Sequence, residues 1–295
     1  MIFSCENPDP DNRRFMDRTG VECRARIAKV TVPLFTEQFG KTFVCGSGVL
    51  LQIAEKGFIV SAGHTFDARK IANLPLWVTN GVVDSKLLPL GEVTIRSSAT
   101  NDPVDRTDEP YDIAVCELPA ETTAQIVGEK QFLRLIDVDP WDRQDPRSWY
   151  KVFGFPTALS PADEAAKRIP SHAVALATFL YRDERGPLDR FEPDVGIAVD
   201  FDTTNMRADD GSPAVPPHPG GMSGCGIWRI VEADTETNAW KLDDVKLVAI
   251  EHTLKTGKKV LVGTRIRYAL QMIYRNHPDL RPAMEMRFGQ RARNL

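Results

Sequence analysis

The sequence predicts an all-β protein built as two antiparallel β-barrels followed by one C-terminal helix. Three observations lead there. Short apolar runs recur along the chain with Gly, Pro, Asn and Asp between them, the punctuation of short antiparallel strands. Helical periodicity is clear only near the end, where Ile266, Leu270, Ile273 and Tyr274 fall at i, i+4, i+7 and i+8. A chain of 295 residues, 42% of them hydrophobic, can bury one large core or two modest ones, as two barrels of ordinary size require.

Taken in order, residues 1–24 are polar and rich in Pro and Asp and read as an arm without a fold of its own. The first barrel spans 25–125. Its first strand, 27–34, alternates with Val30, Val32 and Leu34 on one face, and its second, 42–53, is kinked by Gly46 and Gly48. A turn at 55–57 leads to an apolar strand that ends at His64. Strands at 76–79, 82–83 and 87–95 follow, with Asn80 and Gly81 as a hairpin turn. A polar loop, 97–109, precedes a closing strand at 112–118. Residues 119–130 read as a short helix or a linker, and the domain boundary falls there. The second barrel, 126–263, takes strands at 132–138, 150–155, 173–181, 195–201, 225–231, 246–252 and 259–262. Long loops at 182–194 and 202–219 interrupt it, and loops of that length are usually functional. Residues 264–295 hold the helix and an Arg-containing tail, 287–295, which reads as disordered or as a partner contact.

Composition excludes several classes. A net charge of −4, with 37 Lys and Arg and no long basic run, leaves no footprint for nucleic acid. No segment approaches the roughly 18 consecutive apolar residues of a membrane span, and the first residues lack a basic-then-apolar leader, so a cytoplasmic location is expected. Five cysteines, an odd count without a dense framework, agree with a reducing compartment. No His/Cys cluster has zinc spacing, and no cofactor is implied.

The chemistry gathers at Pro217-His-Pro-Gly-Gly-Met-Ser-Gly-Cys-Gly226, which sets Ser223 among four glycines. A serine hydroxyl needs a base and backbone N–H donors aimed at the developing oxyanion, and glycines allow the turn that points such donors inward. The alternative is a Gly-rich hairpin with an incidental serine. The base candidate is His64, in Ser-Ala-Gly-His, and the acid candidate is Asp112, in Tyr-Asp-Ile-Ala-Val. Each of the three sits at the mouth of a strand, where loops meet a rigid scaffold. Their order, His64, Asp112, Ser223, discriminates between scaffolds that carry such triads.

With those motifs quoted, the chain resembles the trypsin-like serine proteases of chymotrypsin fold, over about residues 25–276, and in particular their cytoplasmic bacterial members. The resemblance implies two six-stranded barrels, hydrolysis of peptide bonds through an acyl-enzyme, an oxyanion hole from the N–H groups of Gly221 and Ser223, and a protein or peptide substrate. It further implies that Pro217 lies at the base of the primary specificity pocket, with His218, His252 and Thr253 beside it. No acid stands at 217, so the usual basis for a Lys or Arg preference is missing, and His252 is a candidate ligand for an acidic side chain. Where secreted relatives bridge the segment at Cys45 to a cysteine after the histidine, this chain has Thr65, so that disulfide cannot form. Where zymogens carry an aspartate before the serine, it has Met222, which cannot hold a freed N-terminal ammonium. Gating by ordering of loop 202–219 through an activating protein partner is the expected substitute. Two rival readings are a catalytically silent double-barrel scaffold that binds proteins, and an enzyme using Cys225 as nucleophile.

Overall fold

The computed structural model describes residues 2–5, 10–38, 40–79, 87–98, 111–128, 130–144, 148–160, 171–183, 185–208, 212–230 and 242–295. The expected turn at 80–81, the strand at 82–83 and most of the loop at 97–109 lie outside them. The strands are β1 (Ile2–Cys5), β2 (Thr31–Gln38), β3 (Lys41–Ile53), β4 (Lys56–Ser61), β5 (Leu76–Thr79), β6 (Leu87–Pro89), β7 (Thr94–Ser97), β8 (Ala114–Glu117), β9 (Trp149–Gly154), β10 (Val174–Thr178), β11 (Gly196–Asp200), β12 (Met206–Ala208), β13 (Gly226–Ile230), β14 (Val245–Lys255) and β15 (Val260–Arg265). The helices are α1 (Pro10–Val30), α2 (Asp67–Ala72), α3 (Ala120–Ile126), α4 (Arg267–Asn276) and α5 (Arg281–Phe288).

Two sheets result. One is seven-stranded and antiparallel, in the order β6-β5-β2-β3-β4-β8-β7. The other has eight strands, β11-β15-β14-β13-β9-β10-β1-β12, antiparallel except where β1 runs parallel to β10. Both exceed the six strands expected, and their ladders run from edge to edge. In the second, Tyr181 N donates to Ala198 O at 3.0 Å and Asp200 N to Phe179 O at 2.9 Å, tying the chain beyond β10 back to the edge strand β11.

Strand alternation explains the core. On β3, Val49 and Leu51 face a cluster shared by both sheets, while Leu50 turns to a cluster held by the first sheet alone. The second sheet likewise encloses Val152, Ile197, Val199, Cys225, Ile227 and Leu261 on its own inner face. The shared cluster takes Phe35, Phe58, Phe153, Trp228 and Ile250 from the two sheets, and α4 covers it with Ala269, Leu270 and Ile273. Among the described residues, no helix is long and apolar enough to cross a membrane.

Three expectations are corrected. The arm is not foldless: α1 runs to Val30, and Cys23, Ile27 and Val30, spaced four and three apart, pack into the shared cluster. Helical spacing and the strand alternation of Val30, Val32 and Leu34 overlap at Val30, and the helix prevails through Val30, with the hydroxyl of Thr31, first in β2, donating back to Ile27 O at 2.9 Å. Residues 132–138 form a tight turn, Leu135–Asp137, instead of a strand, because the Asp137 carboxylate accepts from Arg134 N at 2.9 Å and closes it. The tail is ordered by packing: Met284, Ala292 and Leu295 are buried in the shared cluster, and Phe288 meets Trp141 edge-on at 5.2 Å.

Removing a fully buried side chain from α1 tests whether the arm is integral. Ile27→Ala is expected to cost on the order of 3 kcal/mol, read as a lower thermal unfolding midpoint. An unchanged midpoint would mean that α1 is not docked.

Candidate active site

The three candidate residues come from different elements that meet where the two sheets face each other. His64 lies in a short turn, Gly63–Phe66, directly after β4, and Asp112 lies just ahead of β8, which pairs with β4. The pairing register, Ser61 opposite Ala114, brings the two together. Asp112 is held to His64 twice: its Oδ1 accepts from His64 N at 2.9 Å, and its Oδ2 lies 2.6 Å from His64 Nδ1. The Asp112 side chain is 10% exposed and the His64 ring 37%, so the acid is shielded from water while the far side of the ring stays accessible.

Ser223 is half-buried in the loop before β13. Gly221 and Gly224 have φ of +90° and +91°, and an added Cβ at Gly224 would stand 1.9 Å from Ser61 Oγ and 3.0 Å from Ala62 N. The serine loop therefore presses against the strand end that delivers His64, and only glycine fits between them. The backbone donors of the loop divide cleanly. Gly220 N donates to His218 Nδ1 at 3.1 Å, Met222 N to Pro219 O at 2.8 Å, Gly224 N to Glu251 O at 2.7 Å and Cys225 N to Met222 O at 2.9 Å. Among the described residues, the N–H groups of Gly221 and Ser223 donate to no protein acceptor.

A residue that sequence reasoning missed connects the sheets. Ser47 on β3 donates its N–H to Ser223 O at 2.8 Å and its hydroxyl to Gly221 O at 3.2 Å, while that hydroxyl accepts from Phe155 N at 3.0 Å. Its carbonyl accepts from Ser61 Oγ at 2.6 Å. The available signal was a serine between two glycines inside an apolar strand, Gly46-Ser-Gly48, where a polar group must find buried partners.

The expected pocket residues are spread out. Pro217 is half-buried and His218 is exposed, its ring nitrogen turned back to its own loop. His252 points toward the acid: its Nδ1 lies 2.8 Å from Thr253 Oγ1 and 4.0 Å from Asp112 Oδ2. Burial lowers its pKa to about 4, against the pull of Asp112, so the ring is neutral near pH 7. Beside it Glu251, also missed, is 3% exposed, and burial pushes its carboxyl up to about 8, with the His64 side chain drawing it down and Asp112 pushing it further up. Cys225 is buried and its thiol lies well above the usual range, again through burial, which keeps it protonated and unreactive. Cys45 has its sulfur 3.4 Å from Leu34 O and remains a free thiol. Among the described residues, no three His, Cys, Asp or Glu side chains converge as a metal site.

Two measurements follow from this geometry. Ser47→Ala leaves the buried Phe155 N–H without its acceptor and is expected to cost about 1–3 kcal/mol in a denaturant unfolding curve. A variant as stable as the parent would show the link to be dispensable. The second concerns pH. A folded pKa raised to about 8 means that the native state binds more protons than the unfolded one above the ordinary carboxylate range, so the contribution of Glu251 is full at low pH and lost as pH rises to 8. His252, with a lowered pKa, contributes above its unfolded value of about 6.5 and loses that as pH falls through 4. Between pH 6.5 and 8 only Glu251 of the two acts, so the unfolding midpoint should fall with pH in the parent chain more steeply than in Glu251→Gln. Parallel slopes would mean an ordinary carboxyl.

No protein-family model and no curated protein matches the chain. Among solved structures, the serine endoprotease from Yersinia pestis is similar to it with a TM-score of 0.47 at 13% identity, covering 92% of this chain and 67% of that one.

Proposed function

We propose that the chain is a serine endopeptidase of the trypsin-like kind, with His64, Asp112 and Ser223 as its triad. The observation that carries the reading is the double hold of Asp112 on His64, through Nδ1 at 2.6 Å and the backbone N–H at 2.9 Å. Such a hold fixes the tautomer with the proton on Nδ1 and leaves Nε2 as the basic atom. In the proposed cycle, His64 Nε2 takes the Ser223 hydroxyl proton as Oγ bonds to the scissile carbonyl carbon. Asp112 stabilises the imidazolium, and the N–H groups of Gly221 and Ser223, which serve no protein acceptor, bind the oxyanion. The imidazolium then protonates the leaving amine, and water, activated by the same ring, releases the acyl group.

Regulation through a freed N-terminus is not part of the proposal. Met222 packs in the apolar cluster of the second sheet, where a thioether offers nothing to an ammonium. Gating through loop 202–219, by a partner or by ordering, is supported by one feature: β12, inside that loop, is held by β1, with Phe3 opposite Ala208 and Cys5 opposite Met206. A cytoplasmic setting is proposed on the same footing as before, from cysteine usage.

The deciding test is intact mass after incubation with a fluorophosphonate probe. One adduct is expected on the native chain and none on Ser223→Ala or on heat-unfolded protein, while Asp112→Asn should slow labelling by about 10^4-fold. Labelling that is equal in native and unfolded protein would discard the activated serine. Absence of labelling in the folded chain would favour the silent binding scaffold, and full-rate labelling without any partner would remove the gate.

A further inference from the structure

The acid of the proposed triad is braced from a place the reaction does not use, the start of the C-terminal helix. Asp112 stands between Tyr111 and Ile113, and Ser98, directly after β7, fixes the backbone on both sides of it. The Ser98 hydroxyl lies 3.1 Å from the carbonyl oxygens of Tyr111 and of Ile113 and accepts from Ile113 N at 3.2 Å, while Ser98 N donates to Ile113 O at 2.9 Å. Ile113 is fully buried in the cluster shared by the sheets. On the other flank the side chain of Tyr111 is the handle.

Its ring meets the ring of Tyr268 edge-on, with centroids 4.7 Å apart and planes at 61°, a favoured geometry for an aromatic pair. The Tyr111 phenol, raised above its usual range first by burial, also bonds to the Tyr268 side chain. Tyr268 is the second residue of α4, and its own freedom is small. Ala269 and Leu270, next to it, are buried in the shared cluster. The Arg267 guanidinium lies 5.0 Å from the centre of the Tyr268 ring and donates to its hydroxyl at 3.0 Å. Arg267 also donates to Asp194 O, and Arg265 donates to Pro193 O through Nε at 3.1 Å and through a terminal nitrogen at 3.0 Å. A continuous line of contacts thus runs from residues 193–194, ahead of β11 in the second sheet, through Arg267 and Tyr268 to Tyr111 and the acid.

Precision at Asp112 is what such a brace supplies. Its carboxylate reaches two atoms of His64 at once, at 2.6 and 2.9 Å. A displacement of about 1 Å breaks that pairing and costs on the order of a hundredfold in rate. We propose that Tyr268 is a positioning residue for the triad, its ring setting, through Tyr111, where Asp112 presents its carboxylate to His64. The effect on rate rests on the serine-peptidase reading, and the effect on the contact of His64 with Asp112 rests on geometry alone.

Two readouts test it, and they separate its failure from that of the activity. The first is proton NMR of the hydrogen-bonded Nδ1–H of His64, identified by its loss in His64→Ala and read without turnover. In Tyr268→Ala this resonance is expected to move upfield and to exchange faster with water, and in Tyr268→Phe, which keeps the ring, to stay where it is. The second is the rate of fluorophosphonate labelling of Ser223. Tyr268→Ala should lower the maximal labelling rate about tenfold at unchanged probe affinity, with Tyr268→Phe near the parent. Tyr111→Leu is expected to reproduce both effects and serves if Tyr268→Ala does not fold. A merely structural contact would lower the unfolding midpoint and leave the resonance and the maximal rate of the folded protein unmoved, which overturns the proposal. Equal losses in Tyr268→Phe and Tyr268→Ala would move the role to the bond with Arg267 and overturn the part given to the ring. A resonance that responds to Tyr268 in a chain that the probe never labels would keep the positioning and remove the peptidase. Normal labelling with an unmoved resonance would do the reverse.

Discussion

Much of this molecule depends on the polar groups of Ser47. Its N–H and hydroxyl reach the serine loop of the second sheet, its hydroxyl also receives the Phe155 N–H, and its carbonyl receives Ser61, which stands just ahead of the turn carrying His64. The apolar cluster between the sheets supplies most of the adhesion, yet dispersion and hydrophobic burial are tolerant of small slides. Hydrogen bonds of 2.6–3.2 Å are not, and they set the serine loop against the histidine turn with little freedom. Gly224 and Gly46 complete that fit by omission, since an added Cβ at Gly46 would fall 2.4 Å from the Thr65 side chain.

The electrostatics of the site follow from burial graded around one acid. Asp112 sits between two rings, His64 with 37% of its side chain exposed and His252 with 11%. The His252 ring stays neutral near pH 7, so the His64 ring alone of the two is held by Asp112 at hydrogen-bond distance, 2.6 Å against 4.0 Å. Glu251, further in, is kept from adding a second negative charge by the same low-dielectric surroundings.

How much of this was legible in the sequence varies with the kind of signal. The strands at β3, β4, β5 and β9 were readable because apolar runs ended in Gly, Pro or turn residues, and α4 because four apolar positions kept a helical period. The histidine, aspartate and serine motifs were readable as local strings, and the structure brings His64 and Asp112 into contact. Helix α1 was not legible, because a polar average hides three buried positions whose partners come from distant strands. The approach of His252 to Asp112 was hidden for another reason: the register shift between Glu251 and Thr253 changes which way His252 faces, and no local pattern encodes it. Ser47 was visible only as a serine in a glycine-rich strand, its role fixed by a loop far along the chain.

Strand β1 has a consequence for the order of assembly. It fills a slot between β10 and β12, pairing Ile2 with Ala175 and Phe3 with Ala208, partners more than half the chain away in sequence. Neither neighbour exists until most of the polypeptide has been synthesised, and closing so long a loop is entropically the most demanding contact in the sheet. Until β1 is placed, β10 lacks its second neighbour and β12 has no strand to pair with. The end of the second sheet, from β10 to β12, is therefore joined only through a strand distant from both in sequence.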